Sequence, residues 1–424
     1  MLKRRQFLQS IATAGALLGL PRVAHATPVS GRKFLFVITE GGWDPLCAFA
    51  PLFDATAIDM EPDAAPMSIG DFRLVDHPER PAVRSFFETW GSSTLVIDGI
   101  STRSVSHEVC AEIALTGSSS GSAADWPTLI ALAEQERYAM PSLVFSGLDR
   151  AFATTFPGDH EVVVVRTGPN NELQSMLHGH YIEETDFPVE PLPEHARSIL
   201  DRFVLQRSRA LDPQFTRRGG GKLLRDFRQS LEQVKQLKSL SQELDLTTEE
   251  GGLPKGSLPI ESAVSALSMG LCRCVTMTDG RDWDTHEDNA PQNPYFQGIF
   301  SDLNTLLVTM ANTPGTQGLS LLDETVVVVM SEMGRTPKFN STGGRDHWPY
   351  TSAMLIGNFI DGGRSLGGYT ENFSGVGFDP NTGILIPDAL GVSSADFGAT
   401  LLTMADIDPG PVLAGARPFK GLIK

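Results

Sequence analysis

The sequence predicts an α/β fold: a doubly wound, mostly parallel sheet with helices on both faces and a helical insertion. Runs of apolar, β-branched residues, such as TVVVVM at residues 325–330, predict strands buried on both faces. In the carboxyl-terminal half these runs alternate with helix-like segments, which is typical of parallel sheets. Between about residues 186 and 252, apolar residues instead recur at three- and four-residue intervals, which predicts helices.

The amino terminus predicts export from the cytoplasm. Residues 1–9 read MLKRRQFLQ, with Arg4 and Arg5 adjacent, as in a twin-arginine signal. A short apolar run and the triplet AHA at residues 24–26 follow, as in a signal peptide with its cleavage site, although a buried amino-terminal helix is the alternative. We therefore expect a signal peptide over residues 1–26, the twin-arginine translocase as a partner, a periplasmic or secreted location, and a single mature domain over residues 27–424. Because no later run is apolar enough, no membrane span is expected after cleavage.

Charge and cysteine content exclude some classes of protein. The formal net charge is −17 at pH 7, and such an acidic chain is a poor match for nucleic acid, which needs a basic surface. The four cysteines, Cys47, Cys110, Cys272 and Cys274, are too few for a disulfide scaffold in a chain of 424 residues. Buried thiols are favoured, and a single Cys47–Cys110 bridge is left open.

The amino-terminal part of the mature chain predicts strands whose ends carry polar residues. The first strand covers residues 33–39 and ends in a Gly-Gly turn that presents Asp44 at the carboxyl edge of the sheet, where ligands usually bind. A second strand at residues 94–97 leads through a loop to a helix at residues 107–115. Ser104 or Ser106 lies where this helix begins, either as an N-cap or as an anionic nucleophile stabilised by the helix. Further strands are predicted at residues 142–145 and 161–165.

The rest of the chain predicts the insertion and then regular α/β alternation. Helices at residues 194–211 and 221–246 form the insertion, which a Gly/Pro-rich stretch at residues 251–259 closes. The elements that follow are a helix at 260–270, a strand at 272–277, a helix at 295–311, and strands at 325–330 and 352–356.

Acids and histidines follow several of these strands. Because the carboxyl ends of parallel strands share one edge, we expect the following side chains to converge there: Asp44, Asp284, His286, Glu332, Asp346 and His347. Carboxylates gathered without cations repel one another, and a divalent metal removes that cost. Mixed Asp, Glu and His ligation suits Zn²⁺ or Mn²⁺, with Mg²⁺ or Ca²⁺ as alternatives. A salt-bridge network through Arg281, Arg335 and Arg345 is the alternative to a metal.

Several motifs resemble the domain of unknown function 1501 family. They are GGWDPL from Gly41, SHEVCAEIALTG from Ser106, WDTHED from Trp283, VVVVMSEMGRTPKFNSTGGRDHWPYTSAMLIG from Val326, and ADFGATLLTMADIDPGPVLAGARPFKGLI from Ala395. This family of twin-arginine-exported proteins is itself similar to the alkaline phosphatase and sulfatase superfamily. The resemblance implies an alkaline-phosphatase-like fold whose relatives hydrolyse or transfer phosphate and sulfate esters.

The resemblance also implies site residues. Asp44 matches the first metal-binding aspartate of the superfamily, and His347 matches the final histidine ligand. Asp284 and His286 fall on the loop that carries an aspartate and a histidine, while Asp282 keeps the spacing usual in the superfamily. The nucleophile position falls on or next to His107, with Ser106 adjacent. Where the superfamily has Asp-His after the valine-rich strand, this chain has Ser331-Glu332, so one of two metal sites lacks an imidazole.

Two functions follow from these residues. The first is an exported metal-dependent hydrolase of small-molecule phosphate or sulfate esters, in which Ser106 or a metal-activated water attacks and His107 assists or binds metal. Arg335 or Arg345 clamps the ester oxygens in this hypothesis. The second is a non-catalytic periplasmic binding or assembly protein on a degenerate form of the same fold. A purely structural ion at the sheet edge is a third reading.

Overall fold

A computed structural model of the chain describes residues 31–145, 164–167, 193–217 and 258–424. The predicted signal peptide, the helix predicted at residues 221–246 and most of the predicted insertion lie outside the described residues. Within the insertion, the structure describes one helix, Glu194–Arg217, where a helix at 194–211 was predicted.

The described strands build one large sheet and two small ones. In chain order they are β1 (Lys33–Thr39), β2 (Ala65–Ile69), β3 (Phe72–Asp76), β4 (Thr94–Ser101), β5 (Ser142–Phe145), β6 (Val164–Thr167), β7 (Cys274–Asp279), β8 (Thr325–Ser331), β9 (Gly334–Arg335), β10 (His347–Trp348), β11 (Tyr350–Ile356), β12 (Arg364–Tyr369), β13 (Gly375–Phe378) and β14 (Leu385–Leu390). The large sheet has the order β14-β13-β12-β4-β11-β8-β1-β7-β5-β6, and β2–β3 and β9–β10 form the two small sheets.

Most neighbouring pairs in the large sheet are parallel. Strand β1 lies between β7 and β8 and is parallel to both, with Thr39 opposite Asp279 on one side and Ser331 on the other. Strand β11 is antiparallel to both β4 and β8, so β4 runs in the same direction as β8. Because β11 runs the opposite way, its first residues lie at the edge where β1, β4, β7 and β8 end. The residues just before β11 therefore meet the residues just after those four strands.

Helices cover both faces of the sheet, as the fold class predicts. In chain order the described helices are α1 (Pro81–Trp90), α2 (His107–Thr116), α3 (Trp126–Leu132), α4 (Glu194–Arg217), α5 (Ile260–Ser268), α6 (Gln292–Asn312) and α7 (Ser394–Met404). Leu35 and Val37 of β1 point to a core shared with α1, α5 and α6. Phe34 and Phe36 point to the opposite core, shared with α2, α3 and α7. This alternation along a fully buried strand explains why β1 is apolar at successive positions.

The predicted fold class is confirmed, although some element bounds and directions differ from the prediction. The strand predicted at 272–277 begins at Cys274, so Cys272 precedes it. All four cysteines are free and buried, and Cys47 and Cys110 form no disulfide. The hairpin β2–β3, the helices α1, α3 and α7 and the strands β12–β14 were not predicted. No described helix is both long enough and apolar enough to cross a membrane.

Candidate metal centre

Four side chains from three separate parts of the chain meet at the edge of the sheet where β1, β4, β7 and β8 end. They are His107, Asp284, His286 and His347, and one potential ligand atom of each lies within 4.8 Å of those of the others. His107 is the first residue of α2, directly after the loop that follows β4. Asp284 and His286 lie on the loop after β7, and His347 lies in β10, just before the antiparallel strand β11. The topology therefore explains why residues so distant in sequence come together.

Two of the histidine rings are oriented by acceptors behind them. The Nδ1 atom of His347 lies 2.7 Å from the backbone oxygen of Val105, and Nδ1 of His286 lies 2.9 Å from Oδ1 of Asp346. A backbone carbonyl only accepts hydrogen bonds, so Nδ1 of His347 carries the proton. A carboxylate acceptor favours the same tautomer in His286. In the neutral rings, both Nε2 atoms therefore present lone pairs to the cluster.

These two Nε2 atoms point at each other. They are 2.7 Å apart, and Oδ1 of Asp284 lies 3.1 Å from Nε2 of His286 and 3.3 Å from Nε2 of His347. Two nitrogen lone pairs at this distance repel unless a proton or a metal cation lies between them. The arrangement therefore fits a cation held by imidazole nitrogens and a carboxylate oxygen.

His107 completes the set and is held by a buried acid. Its Nδ1 atom lies 2.9 Å from Oε1 of Glu332, and its Nε2 atom lies 3.5 Å from Oδ2 of Asp284. Three imidazoles and one carboxylate, with each imidazole oriented through Nδ1 by an oxygen, is a donor set that suits Zn²⁺. Glu332 also accepts hydrogen bonds from the amide of Gly41 and from the hydroxyl of Ser331, and so joins the ends of β1 and β8 to helix α2.

Electrostatics in the cluster favour the charged forms of His107 and Asp284. Burial opposes protonation of His107, but hydrogen bonds to Asp284 and Glu332 outweigh it and raise the pKa of the imidazole to about 9. Burial likewise acts against the ionised form of Asp284, yet hydrogen bonds from His107 and its neighbours hold the pKa of this carboxyl well below its usual range. Without a metal the cluster is thus an ion-pair network, and metal binding displaces protons from it.

Asp44 lies outside this cluster, in a buried ion pair. Its carboxylate is fully buried, 3.0 Å from Nε of Arg345, and accepts hydrogen bonds from Asn289 and from the amide of Leu46, each at 3.0 Å. The other nitrogens of Arg345 donate to the backbone oxygens of Thr336 and Asp59. One of the two arginines predicted to clamp an ester is therefore buried and directed to partners inside the protein.

Arg335 is also buried, but it contacts the cluster. Its guanidinium donates to the backbone oxygens of Gly41, Gly42 and Arg345, and Nη2 lies 2.7 Å from Oδ1 of Asp284. These contacts fix the Gly-Gly turn after β1 and orient the carboxylate of Asp284. None of the nitrogens of this buried side chain points into solvent.

The remaining predicted site residues lie at the margin. Asp282 is exposed and is not one of the four clustered residues. Asp346 contacts His286 as described, behind the ring rather than in front of it. Ser106 precedes α2 without capping it, and its hydroxyl donates to Oε2 of Glu108 at 2.9 Å instead of to a histidine.

Two glycines allow the loops of the site to approach one another. Gly41 has φ +112°, and a Cβ added there would lie 2.6 Å from the backbone nitrogen of Asp284. A Cβ on Gly344 would overlap the backbone oxygen of His286. Any larger residue at either position forces the loop after β7 away from its place.

Two parts of the site were not identified from the sequence. Glu40 directly follows β1, and burial together with the charge of Glu332 raises the pKa of its carboxyl to about 8. Glu40 follows a predicted strand, as the other candidate acids do, and this position could have identified it from the sequence. The backbone oxygen of Val105 gives no sequence signal, because any residue supplies a carbonyl.

Comparisons with known proteins find one matching family model and several solved structures that are similar to this chain. A protein in the alkaline phosphatase superfamily from Vibrio parahaemolyticus is 10% identical, with 99% of this chain and 79% of that chain covered and a TM-score of 0.37. A Bacteroides thetaiotaomicron protein of glycosaminoglycan metabolism is 11% identical, with 92% of this chain and 76% of that chain covered and a TM-score of 0.39. A sulfatase from Pseudoalteromonas sp. is 10% identical, with 91% of this chain and 73% of that chain covered and a TM-score of 0.31. No curated protein sequence matches the chain.

The family match covers the part of the chain that supplies most of the cluster. Asp284, His286 and His347 all fall within it, whereas His107 precedes it. The model of the family described as "Protein of unknown function (DUF1501)" matches residues 263–420, which confirms over that part of the chain the family resemblance predicted from the motifs.

Proposed function

We propose that the chain is an exported, metal-dependent hydrolase of phosphate or sulfate esters. The observation that supports this most is the convergence of the Nε2 atoms of His286 and His347, 2.7 Å apart, beside the carboxylate of Asp284 and the ring of His107. Two imidazole nitrogens at this distance repel unless a proton or a metal cation lies between them, and a divalent metal satisfies both together with Asp284 and His107. The site is also accessible, since the side chain of His286 is 38% exposed.

The proposed cation is Zn²⁺ or Mn²⁺, held by His107, Asp284, His286 and His347. Three imidazole nitrogens favour these metals over Mg²⁺ and Ca²⁺, which prefer oxygen ligands. When bound, such a metal polarises the ester and neutralises charge that develops on its oxygens. Buried Glu332, exposed Asp346 and the carbonyl of Val105 keep the rings oriented.

In this proposal water attacks the ester, rather than Ser106. Ser106 donates its hydroxyl proton to Glu108, and no described histidine accepts a hydrogen bond from it. Exchange of Ser106 for alanine therefore leaves hydrolysis within about twofold of the parent. A loss of turnover on this exchange would instead assign Ser106 as the nucleophile.

Location and partners belong to the same proposal. The paired arginines at the amino terminus favour passage through the twin-arginine translocase and a periplasmic or secreted site of action. The strongly acidic chain disfavours nucleic acid as a partner. A small-molecule ester is the proposed substrate.

The test is metal analysis combined with a screen of ester substrates. Protein purified after export is analysed for bound metals, and turnover of phosphate and sulfate esters is measured with added Zn²⁺, Mn²⁺, Mg²⁺ and Ca²⁺. The proposal expects one stoichiometric transition metal and turnover that a chelator abolishes. Stoichiometric metal without turnover of any ester contradicts the hydrolase.

A specific observation favours a second candidate function, a non-catalytic binding or assembly protein. Where the superfamily pattern has Asp-His, this chain has Ser331-Glu332, and Glu332 serves to orient His107. Bound metal, no ester turnover and retention of a protein partner by the purified chain would support this second function.

A further inference from the structure

The charges around the cluster distinguish between classes of ester, and this inference rests on the proposed function. We propose that the site takes esters carrying a single negative charge, such as phosphodiesters and sulfate monoesters, in preference to phosphate monoesters with two. In the reaction, the water oxygen forms a bond to phosphorus or sulfur and the ester bond to the alcohol oxygen breaks. One water proton passes to the alcohol, and the remaining hydroxyl stays on the product.

The arginines predicted to bind the substrate are directed elsewhere. The guanidinium of Arg335 uses its nitrogens on three backbone oxygens and on Asp284. Arg345 is paired with Asp44 and donates to two further backbone oxygens. Both side chains are 0% exposed. Neither arginine can supply the bidentate contact with which proteins usually bind a phosphate dianion.

The carboxylates, in contrast, lie in direct contact with the histidines. Glu332 contacts His107 and Asp346 contacts His286, both at 2.9 Å, while Asp284 lies among the rings. Asp346 is the most exposed of these three carboxylates, with 59% of its side chain exposed. An ester bound at the histidines therefore lies close to this negative charge.

These charges nearly cancel once a divalent cation is present. The cation and Arg335 together carry three positive charges, and Asp284, Glu332 and Asp346 carry three negative charges, to which Glu40 adds a fourth where it is ionised. An ester therefore meets a site without net positive charge, and the second charge of a dianion adds repulsion from Asp346 without a further cation to offset it. The centre selects for low substrate charge on this basis.

The direct test compares two ligands that differ in charge but share the same phosphorus substituent. Methylphosphonate and its monomethyl ester are titrated into the metal-loaded protein at pH 8.5, where the first is a dianion and the second a monoanion. We expect the monoanion to bind at least about tenfold more tightly. Equal binding, tighter binding of the dianion, or no binding of either ligand overturns the proposal.

A pair of matched variants tests the cause. Asp346→Asn removes the charge but keeps an oxygen to accept from His286, and it should strengthen binding of the dianion by about tenfold while changing the monoanion little. Asp361→Asn is the control, because Asp361 is similarly exposed and follows β11, at the opposite edge of the sheet. An unchanged ratio of affinities in Asp346→Asn, or an equal change in Asp361→Asn, overturns the proposed role of Asp346.

Hydrolysis distinguishes this inference from the proposed function itself. We expect bis(p-nitrophenyl) phosphate or p-nitrophenyl sulfate to exceed p-nitrophenyl phosphate in kcat/KM by about 100-fold at pH 8, well above the second pKa of a phosphate monoester, which is about 6. Preference for the monoester dianion would overturn the charge selection alone. Absence of any metal-dependent ester hydrolysis would overturn the proposed function.

Discussion

Two neighbouring regions at the same edge of the sheet surround their acidic side chains in different ways. At the cluster, Asp284 lies among three imidazoles and is partly open to solvent, with 30% of its side chain exposed. At the buried pair, Asp44 is fully enclosed, is paired with the guanidinium of Arg345, and accepts a hydrogen bond from Asn289. Residue types after predicted strands suggested one metal-binding edge that included both.

The difference shows what makes an acid available to a metal. Asp44 has its own internal cation and two further donors, so its charge is neutralised by the protein. The lone pairs of His286 and His347 face each other and have no such partner between them. A metal site is therefore indicated by donor atoms left facing one another, and not by the number of acids nearby.

The largest expected effect comes from removing a ligand on the cluster side. His347→Ala should lower metal affinity by more than about 100-fold, beyond the 10- to 100-fold loss typical when only the group behind a ligand is changed. The measurement is metal content after dialysis against a chelating buffer. Asp282→Asn is the control, since Asp282 lies on the same loop as His286 but outside the cluster. Equal metal loss in both variants would contradict the assignment of the four ligands.

The opposite result is expected on the side of the buried pair. Arg345→Met leaves the carboxylate of Asp44 buried without its cation, which should destabilise the fold by about 3–5 kcal/mol. Urea unfolding of the metal-free protein measures the loss. The folded fraction should still bind one metal. A stable variant that has lost its metal would show that Asp44 and Arg345 belong to the metal centre after all.

The sequence predicted the bounds of the strands that meet at this edge better than it predicted how those strands pair. The bounds of β1 and β5 agree with the prediction because a continuous apolar run marks a strand that is buried on both faces. The direction of β11 was not predictable, because the side-chain pattern of a strand is the same for parallel and antiparallel pairing. That direction is what brings His347 to the end of β7.

The candidate site was predictable by residue type but not by pairing. Asp284, His286 and His347 were singled out because they follow or precede strands, and the structure brings them together. Packing between loops that are distant in sequence determines which acid pairs with an arginine, and no local sequence pattern predicts that pairing. The backbone carbonyl of Val105 fixes the tautomer of His347, and the sequence could not predict this contact because every residue has a carbonyl.

A smaller effect is expected where an acid supports a ligand without joining the cluster. Glu332→Ala removes the acceptor for Nδ1 of His107, and metal affinity should fall about 10- to 100-fold. Glu332→Gln keeps an acceptor oxygen and should recover most of the affinity. Competition with a metal-binding dye measures both variants. If Glu332→Gln binds metal as poorly as His347→Ala does, Glu332 is itself a ligand.

The last expected effect concerns a third buried acid, which has neither a metal nor an arginine beside it. Asp98 in β4 is 4% exposed, and its Oδ1 accepts a hydrogen bond from Ser352, whose hydroxyl also lies 2.7 Å from that of Tyr369. Burial raises the pKa of Asp98 from 3.8 to about 7, despite the hydrogen bond from Ser352. This acid therefore stays protonated in the fold up to near neutral pH, and its burial needs no cation.

The folded protein holds this proton more tightly than the unfolded chain, which fixes the sign of the pH dependence. The stability that comes from protonated Asp98 is fully present below pH 3.8 and is lost as the pH rises towards 7. Asp98→Asn cannot titrate, so the stability of the parent relative to this variant should fall by about 1.4 kcal/mol per pH unit at most between these limits. Urea unfolding of both proteins at several pH values, with chelator present, gives this difference. A constant difference would mean that Asp98 is ionised in the fold, and that an acid on this sheet can stay charged in the core without the cation that Asp44 has.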